Sequence, residues 1–396
     1  MKKIVLISLI LFLLLCIFVF GQENSAYQDY IKAMSAPSIQ QKIQLLKDYL
    51  ARYKGQGTEH ENYVYAYLCL FSSQTNKLSE AVDYGETALT VGGLDDATRI
   101  QLYITLASIY TKMGKNLEKA KNYAMQAIDI ARVNMSKESS TTPPTQWKQL
   151  MGAAYYTHAQ AQEKAKQHKG AVSSYKKSYE ILKNPQILKD LKKAGKALYD
   201  FKFYKEAEEA FQFASMYLRD FDSYAFYAKS LYKNGKKDDA LTYFKKAYEK
   251  KKSGEIAYNI GIILAQDAKS DSSLTEEAII YLLEASFLSP AHSQKAREYA
   301  ESLFFNMPEN REYNKLAKEI VDKNKKLEEL IDIYNLKVEE NEGKELTKKQ
   351  QKILNDFAAD IEKSQAEIEK LKEKQQKYVD AFNRLLEKAK SRLGIS

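Results

Sequence analysis

The amino-acid sequence predicts an all-α protein, a right-handed α-solenoid of about six helix pairs followed by a long helical hairpin. Three observations lead to this prediction. The chain has only 15 Gly and 6 Pro among 396 residues, which is too few for a turn-rich sandwich or barrel. Small and aromatic residues recur with helical spacing in successive pairs of segments. The last part of the chain carries apolar residues in a heptad pattern, which is typical of a coiled coil.

The first 21 residues predict a secretory signal peptide. Lys2 and Lys3 form a basic start, and residues 4–20 are almost entirely apolar. Val19 and Gly21 are small enough to suit cleavage by a signal peptidase after Gly21. We therefore expect an exported protein, either periplasmic or associated with the bacterial cell envelope.

Two alternatives to cleavage remain open. A helix over residues 4–20 spans about 26 Å, slightly less than the hydrocarbon core of about 30 Å, so it could remain as an inner-membrane anchor. Membrane contact is expected only in that case. Cys16 could instead be lipidated, although residues 13–15 before it are all Leu rather than small. If cleavage occurs, Cys69 is the remaining cysteine, which suits an oxidising compartment.

Residues 22–61 predict a helical cap at the start of the stack. Tyr30 and Ile31 are followed by a second amphipathic segment that ends before Gly55. That segment carries Ile43, Leu46, Tyr49 and Leu50.

The clearest self-similarity lies between residues 191 and 247. Small residues at fixed positions allow two helices to approach closely, and large side chains then fill the space between successive pairs. One pair cannot bury its apolar face alone, so the pattern predicts a stack of pairs. The two copies are Leu191, Ala194, Gly195 and Leu198 followed by Ala207, Phe211 and Ala214, and Tyr224, Tyr227, Ala228 and Leu231 followed by Ala240, Phe244 and Ala247.

Further copies extend the pattern in both directions. One begins at Ala257, another at Tyr103, and two weaker copies begin at Tyr65 and Tyr155. The arrangement resembles the tetratricopeptide repeat (TPR), a family of helix–turn–helix units about 34 residues long. The resemblance covers roughly residues 62–290 within a predicted repeat domain of 62–308, which a polar loop at 134–145 interrupts. It implies a non-enzymatic scaffold whose concave groove binds a segment of a partner protein.

Residues 309–396 predict a helical hairpin. A first helix over about 313–338 and a turn at 341–343 precede a second helix over 346–392, which would be about 70 Å long. Because the first helix is shorter, part of the second lacks an intrachain partner. That part could mediate homo-oligomerisation through residues 346–392, or it could fold back on the repeats. The seam of the second helix consists of Leu354, Phe357, Ile361, Ser364, Ile368, Leu371, Gln375, Tyr378, Phe382 and Leu385.

The TPR resemblance also implies a binding surface. Ligand contacts in that family come from the first helix of each unit, on the face away from the packing residues. Lysines interleaved with tyrosines on this face suit an extended acidic peptide segment or a chain carboxylate. The alternative is that the lysines only solvate the groove, and the asparagines of carboxylate-clamp TPR proteins are missing at the matching positions. In the repeats that begin at Leu191 and Tyr224, the predicted partner-binding residues on this face are Lys189, Lys192, Lys196, Tyr199, Lys229, Tyr232 and Lys233.

No catalytic, metal or cofactor site is predicted. The four His residues have no metal-ligand spacing, and His158 and Cys69 fall on packing positions of their repeats. The net charge of +9 becomes +7 without Lys2 and Lys3, and it is spread along the chain, which disfavours a nucleic-acid or polyanion binder. A structural spacer that acts through its C-terminal coiled coil is the main alternative to a partner-binding scaffold.

Overall fold

A computed structural model describes residues 25–137, 142–343 and 345–395. Every regular element in these ranges is a helix, so the predicted all-α class is confirmed. None of these helices combines the length and the apolar character needed to cross a bilayer. The predicted signal peptide, residues 1–21, lies outside the described residues. The chain forms two compact units that divide between Leu218 and Arg219, and each unit is described by itself.

The first unit is a stack of helix pairs in which each helix packs against the next. The first helices of successive pairs, α3, α5 and α7, also pack against one another, as expected for a repeat stack. The helices are α1 (25–35), α2 (Ile39–Tyr53), α3 (Glu61–Gln74), α4 (Leu78–Val91), α5 (Asp96–Met113), α6 (Leu117–Met135), α7 (Pro144–Lys164), α8 (His168–Leu182), α9 (Pro185–Asp200) and α10 (Tyr204–Leu218).

Small residues bring the two helices of a pair into direct contact, as the sequence predicts. Ala194 and Gly195 of α9 are buried against α10. A Cβ atom at Gly195 would lie only 2.9 Å from the Cβ of Ala210. This distance is shorter than a van der Waals contact, so the crossing of α9 and α10 requires glycine at this position.

One three-residue turn recurs within four helix pairs, and its middle residue has a left-handed backbone conformation. The middle residues are Asn76, Lys166, Lys202 and Gly235, with φ between 59° and 80°. In each turn the N–H of the third residue donates to the carbonyl five residues earlier, at 2.8–2.9 Å. This hydrogen bond satisfies a carbonyl at the end of the first helix and fixes the entry of the second.

The connection between α6 and α7 is shorter than the predicted loop at 134–145. Helix α6 continues through Met135, and α7 begins at Pro144. Asn134 therefore lies in the last turn of α6, where its buried amide donates to Asp96 Oδ2 at 2.7 Å. Pro144 suits the first turn of a helix because its missing N–H would have no intrahelical acceptor there. Trp147, three residues later, is buried in the core.

The second unit continues the helix pairs and ends in the hairpin. Short 3₁₀ turns at Ser272–Leu274 and Pro308–Asn310 precede two of its helices. The helices are α11 (Phe221–Lys233), α12 (Lys237–Lys250), α13 (Gly254–Asp267), α14 (Thr275–Leu288), α15 (Ser293–Phe305), α16 (Arg311–Glu340) and α17 (Lys348–Leu393).

The hairpin of α16 and α17 has the predicted heptad seam. All ten seam positions of α17 are buried or half-buried, and Ile368, Tyr378 and Phe382 are fully within the core. Thr347 begins α17 with a reciprocal capping box, because its hydroxyl accepts from the N–H of Gln350 and its own N–H donates to the Gln350 side chain. With 46 residues, α17 is about 69 Å long.

The C-terminal part of α17 folds back on the repeats of its own unit. Phe382 and Ala389 pack in one apolar cluster with Ile279 and Leu283 of α14. The sequence left two fates open for the part of α17 that extends beyond α16. The structure shows that this end of the helix packs against α14 of the same chain.

Candidate partner-binding surface

The first predicted group of binding residues lies together on α9. Lys189, Lys192, Lys196 and Tyr199 are three or four positions apart, so they share one face of the helix. Lys189 and Lys196 are exposed, and Lys192 and Tyr199 are half-buried. We call these four residues the α9 lysine face.

The start of α9 is fixed by two local features. The side chain of Asn184 accepts a hydrogen bond from the N–H of Gln186 at 2.9 Å, and Pro185 occupies the first helical position. Both are preferred at helix N-termini because they satisfy or remove an unpaired backbone donor. The apolar side of the helix, which includes Leu191 and Leu198, is buried in the core. The α9 lysine face is therefore held in one orientation.

Contacts with α7 hold α9 from the neighbouring repeat. Tyr156 of α7 donates to Asp190 Oδ2 at 2.6 Å, and Lys193 Nζ lies 3.0 Å from Glu163 Oε1. Burial, together with the hydrogen bond to Asp190, raises the pKa of Tyr156, so the phenol stays protonated and remains a donor. The hydrogen bond to Glu163 raises the pKa of Lys193. One cation of α9 is thus already paired, next to the predicted face.

Tyr199 ends the α9 lysine face beside a second tyrosine. Its ring lies 5.3 Å from that of Tyr204 in an edge-on arrangement. A half-buried tyrosine offers a flat contact area and loses little side-chain entropy on binding. This end of α9 therefore adds an amphipathic surface to the cationic one.

The second predicted group lies on α11, in the second unit. Asp220 caps this helix by accepting from the N–H of Ser223 at 2.8 Å. Tyr232 is half-buried and Lys233 is exposed near the C-terminal end of the helix. The seven predicted residues are therefore four on α9 and three on α11, in different units of the chain.

Lys229 differs from the prediction in one respect, because its charge is already compensated. Its side chain is 17% exposed, and its Nζ lies 2.7 Å from Glu255 Oε1. The same Nζ lies 5.0 Å from the centre of the Phe226 ring. An acidic ligand would have to compete with Glu255 for the charge of Lys229.

Two carboxylates that pair with lysines of α9 and α11 were missed in the sequence: Glu163, which pairs with Lys193, and Glu255, which pairs with Lys229. Glu163 holds the position in α7 that Tyr199 holds in α9, so the repeat alignment places it on the same side of the stack. Applying the ligand-facing positions to every helix-pair repeat, rather than only to the repeats of α9 and α11, would have identified Glu163. Glu255, which pairs with Lys229, lies in the first turn of the next first helix, α13.

No metal or nucleophile site emerges elsewhere in the described ranges. Across 25–137, 142–343 and 345–395, His, Cys, Asp and Glu side chains form no group of three that could hold a metal ion. Cys69 is buried, and burial raises its pKa to about 12, so it is a neutral thiol at physiological pH. His158 lies 3.1 Å from the Ser174 hydroxyl, and burial lowers its pKa. Both residues have the packing role that the sequence predicts.

Paired helices, three-residue turns and small residues at the helix crossings define a TPR-like helical repeat protein. No family model matches the sequence, and no curated protein sequence matches it either. Among solved structures, the chain is similar to a tetratricopeptide repeat protein from Parabacteroides merdae, with 15% identity, a TM-score of 0.35, and coverage of 71% of this chain and 99% of that one.

Two further solved structures are of interest. YrrB, a TPR protein with an unusual peptide-binding site, has 19% identity and a TM-score of 0.32, and the match covers 51% of this chain and 91% of that one. The apo form of RapI has 16% identity and a TM-score of 0.34, with coverage of 83% and 99%. The TPR-like description of this chain depends on its own helix pairs and turns.

Proposed function

We propose that the protein is an exported, non-enzymatic scaffold of the bacterial cell envelope that binds an extended acidic segment of a partner protein. The observation that carries the proposal is the α9 lysine face, in which Lys189 and Lys196 are exposed beside Tyr199 on a helix fixed by its neighbours. Lysine ammonium groups form charge-assisted hydrogen bonds with carboxylates, and tyrosine packs against the peptide chain.

The exposed end of α11 supplies a second contact for the same class of ligand. Tyr232 and Lys233 repeat the pairing of an aromatic ring with a cation. Lys229 joins them when a ligand carboxylate replaces Glu255 as its partner. Such an exchange keeps the number of ion pairs constant and therefore adds little affinity.

Export is the second part of the proposal. It is supported by the basic start and the apolar run of residues 1–21, with cleavage after Gly21. The alternative is retention of residues 4–20 as an inner-membrane anchor. Cleavage and retention both leave the repeats outside the cytoplasm. A nucleic acid or another polyanion is therefore the least favoured class of ligand.

A structural spacer that oligomerises through residues 346–392 is the alternative function. The observation in its favour is the set of exposed apolar side chains on the hairpin. Ile353 lies within residues 346–392, and Val321, Ile333, Leu336 and Val338 lie on the partner helix α16. The side chains of this set are between 38% and 66% exposed, and a second hairpin would cover them. The partner in this case is another copy of the same chain.

Affinity capture from solubilised cell envelopes tests the two functions against each other. The mature chain, residues 22–396, is compared with Lys189→Glu/Lys196→Glu and with the matched reversal Lys325→Glu/Lys326→Glu on α16. We expect an envelope protein to bind the unchanged chain and the α16 variant and to be lost from the α9 variant. Release of that protein by a poly-glutamate peptide would show that the contact is acidic.

Two results would contradict the proposal. Equal recovery of the same partner by all three proteins, with circular dichroism showing that each is folded, would exclude the α9 lysine face. Recovery of the chain alone, together with a dimer in sedimentation equilibrium, would favour the spacer. Circular dichroism is needed because loss of fold would also abolish binding.

A further inference from the structure

Two phenylalanines are exposed in the turn between α9 and α10. Phe201 is 61% exposed and Phe203 is 56% exposed. Large apolar side chains that lie together on a surface mark interaction sites more often than isolated ones do. The other three turns of the same form carry no aromatic residue at the matching positions, which are occupied by Thr75 and Lys77, Ala165 and Gln167, and Asn234 and Lys236.

The backbone of this turn does not require phenylalanine. Phe203 N–H donates to Leu198 O at 2.9 Å, the same bond that Lys77 and Lys236 make in their turns. Polar residues therefore support the same hydrogen bonds. The backbone hydrogen bonds of this turn therefore do not explain why both positions are phenylalanine.

A cavity of about 430 Å³ lies beside the two rings. One wall is formed by Leu198, Phe201 and Phe203, and the other by residues 166–170 of the neighbouring helix pair. Its volume lies within the range of small-ligand pockets and can accept one large side chain. We call this site the turn-edge cavity.

His168 gives the wall of the turn-edge cavity a polar group. Its ring stacks on Phe201 with the ring centres 5.9 Å apart and the planes inclined by 24°. Its Nδ1 is buried and has no hydrogen-bond partner among the described residues. Unpaired buried polar atoms are unfavourable, so this nitrogen adds an unsatisfied polar group to a residue of the lining.

The rim of the turn-edge cavity is cationic. The charged residues of its lining are Lys166, Lys169 and Glu206, with Lys166 and Lys169 exposed and Glu206 2.8 Å from Lys169 Nζ. Lys202 is also exposed and lies in the chain between the two lining phenylalanines. This excess of positive charge complements a ligand with carboxylates next to its apolar anchor.

The two turns that border the cavity also differ from the others in their middle residue. Lys166 and Lys202 have left-handed backbones, with φ of 59° and 66°. Asn and Gly tolerate this conformation best, and Asn76 and Gly235 occupy it in the other two turns. Lysine thus occupies the middle position, against backbone preference, in the two turns that contribute residues to the lining of the cavity.

We infer that the turn-edge cavity binds a large apolar side chain, Phe, Trp or Leu, carried by an acidic segment of a partner protein. The side chain fills the space between Phe203 and the turn at 166–170. Flanking carboxylates pair with Lys166 and Lys202. This site is separate from the α9 lysine face and does not depend on it.

Selection from a random twelve-residue peptide library on the mature full chain tests the inference. The variant Phe201→Ala/Phe203→Gln carries the residues of the turn at 165 and 167, so its backbone should be retained. We expect enriched peptides to contain Phe, Trp or Leu between Asp or Glu residues. Their affinity, from fluorescence anisotropy of labelled peptides, should fall at least tenfold for this variant and stay within twofold for Lys189→Glu/Lys196→Glu.

Peptide variants separate the two components of the site. Replacing the central apolar residue with Ala, or the acidic residues with Lys, should each weaken binding at least tenfold. The inference is overturned if no acidic–apolar peptides are enriched, or if the enriched peptides bind the turn variant unchanged. It is also overturned if binding is lost only in Lys189→Glu/Lys196→Glu, since the ligand would then occupy the α9 lysine face.

Discussion

Arg392, near the end of α17, forms an ion pair with the fully buried Glu284 of α14, and its Nε lies 2.9 Å from Glu284 Oε1. The hydroxyl of Tyr248, in α12, donates to the other carboxylate oxygen at 2.8 Å. The guanidinium also lies 4.7 Å from the centre of the Tyr281 ring. A buried carboxylate is unfavourable without a cation or donors around it, so α17 supplies a charge that the last helix pairs need.

Removing the guanidinium should destabilise the second unit. We expect Arg392→Ala to lower the free energy of unfolding by about 2 kcal/mol, because Glu284 is left buried without a cation. The loss is smaller than for a fully buried pair, because the Arg392 side chain is one third exposed. The matched control is Lys372→Ala, whose partner Glu369 is exposed on the same helix, and it should cost about 0.5 kcal/mol or less. If urea denaturation gave equal losses of unfolding free energy for Arg392→Ala and Lys372→Ala, the proposed role of Arg392 beside Glu284 would be wrong.

The Glu284 network also predicts a pH dependence. Burial raises the pKa of Glu284 above its ordinary value of 4.5, outweighing the opposite effects of Tyr248 and Arg392. A carboxyl with a raised folded-state pKa stabilises the fold more as pH falls and loses that contribution as pH rises. The urea midpoint of the unchanged chain should therefore rise relative to Glu284→Gln between neutral pH and pH 4.5.

Glu86 provides the control with the opposite sign. Burial alone would raise its pKa, but hydrogen bonds from Lys119, Tyr110 and Tyr123 lower it. Its contribution is present at neutral pH and is lost as pH falls through the lowered pKa. The unchanged chain should therefore lose stability relative to Glu86→Gln upon acidification. On acidification, the stability difference between the unchanged chain and Glu284→Gln should change in the opposite direction to the difference between the unchanged chain and Glu86→Gln. A change in the same direction for both would refute the assigned pKa shifts.

Backbone strain in the turn between α9 and α10 predicts a stabilising substitution. Lys202 has φ of 66°, a conformation that glycine adopts without steric penalty. Lys202→Gly should leave the free energy of unfolding unchanged or raise it by about 0.5 kcal/mol, as measured by thermal denaturation. The relief of backbone strain is partly offset by the greater freedom of the unfolded chain. Lys205→Gly, inside α10, should instead lower it by about 0.5–1 kcal/mol. A loss at position 202 as large as that at 205 would be inconsistent with strain.

The close approach of α9 and α10 predicts the reverse effect for a glycine. Gly195→Ala places a Cβ atom 2.9 Å from Ala210 and should destabilise the first unit by about 1–3 kcal/mol, although alanine favours helices. At Gly170 the nearest atoms belong to the flexible end of Gln162, so Gly170→Ala should be neutral or stabilising. Calorimetry of both variants would measure the two changes in stability. If Gly195→Ala did not change the stability, α9 and α10 would be able to move apart at this crossing.

The sequence predicts the packed part of the fold well because packing imposes residue size at fixed spacing. Gly195, Phe211 and Phe382 were identified by such spacing, and all three are buried. Contacts between residues distant in the chain leave no such pattern. The pairing of Glu284 with Arg392 depends on how α17 folds back onto α14. The pairing of Lys229 with Glu255 depends on the stacking of successive helix pairs. Periodicity places these residues on helices but does not assign their partners.

Photocrosslinking in living cells tests whether the α9 lysine face contacts an acidic partner segment. A photoreactive amino acid is placed at position 189 or 196, and at position 325 of α16 as the control. We predict crosslinks from positions 189 and 196, but not 325, to one envelope protein, with the crosslinked peptide rich in Asp and Glu. Crosslinks from position 325 alone, or only to a second copy of the chain, would contradict the claim and favour the spacer.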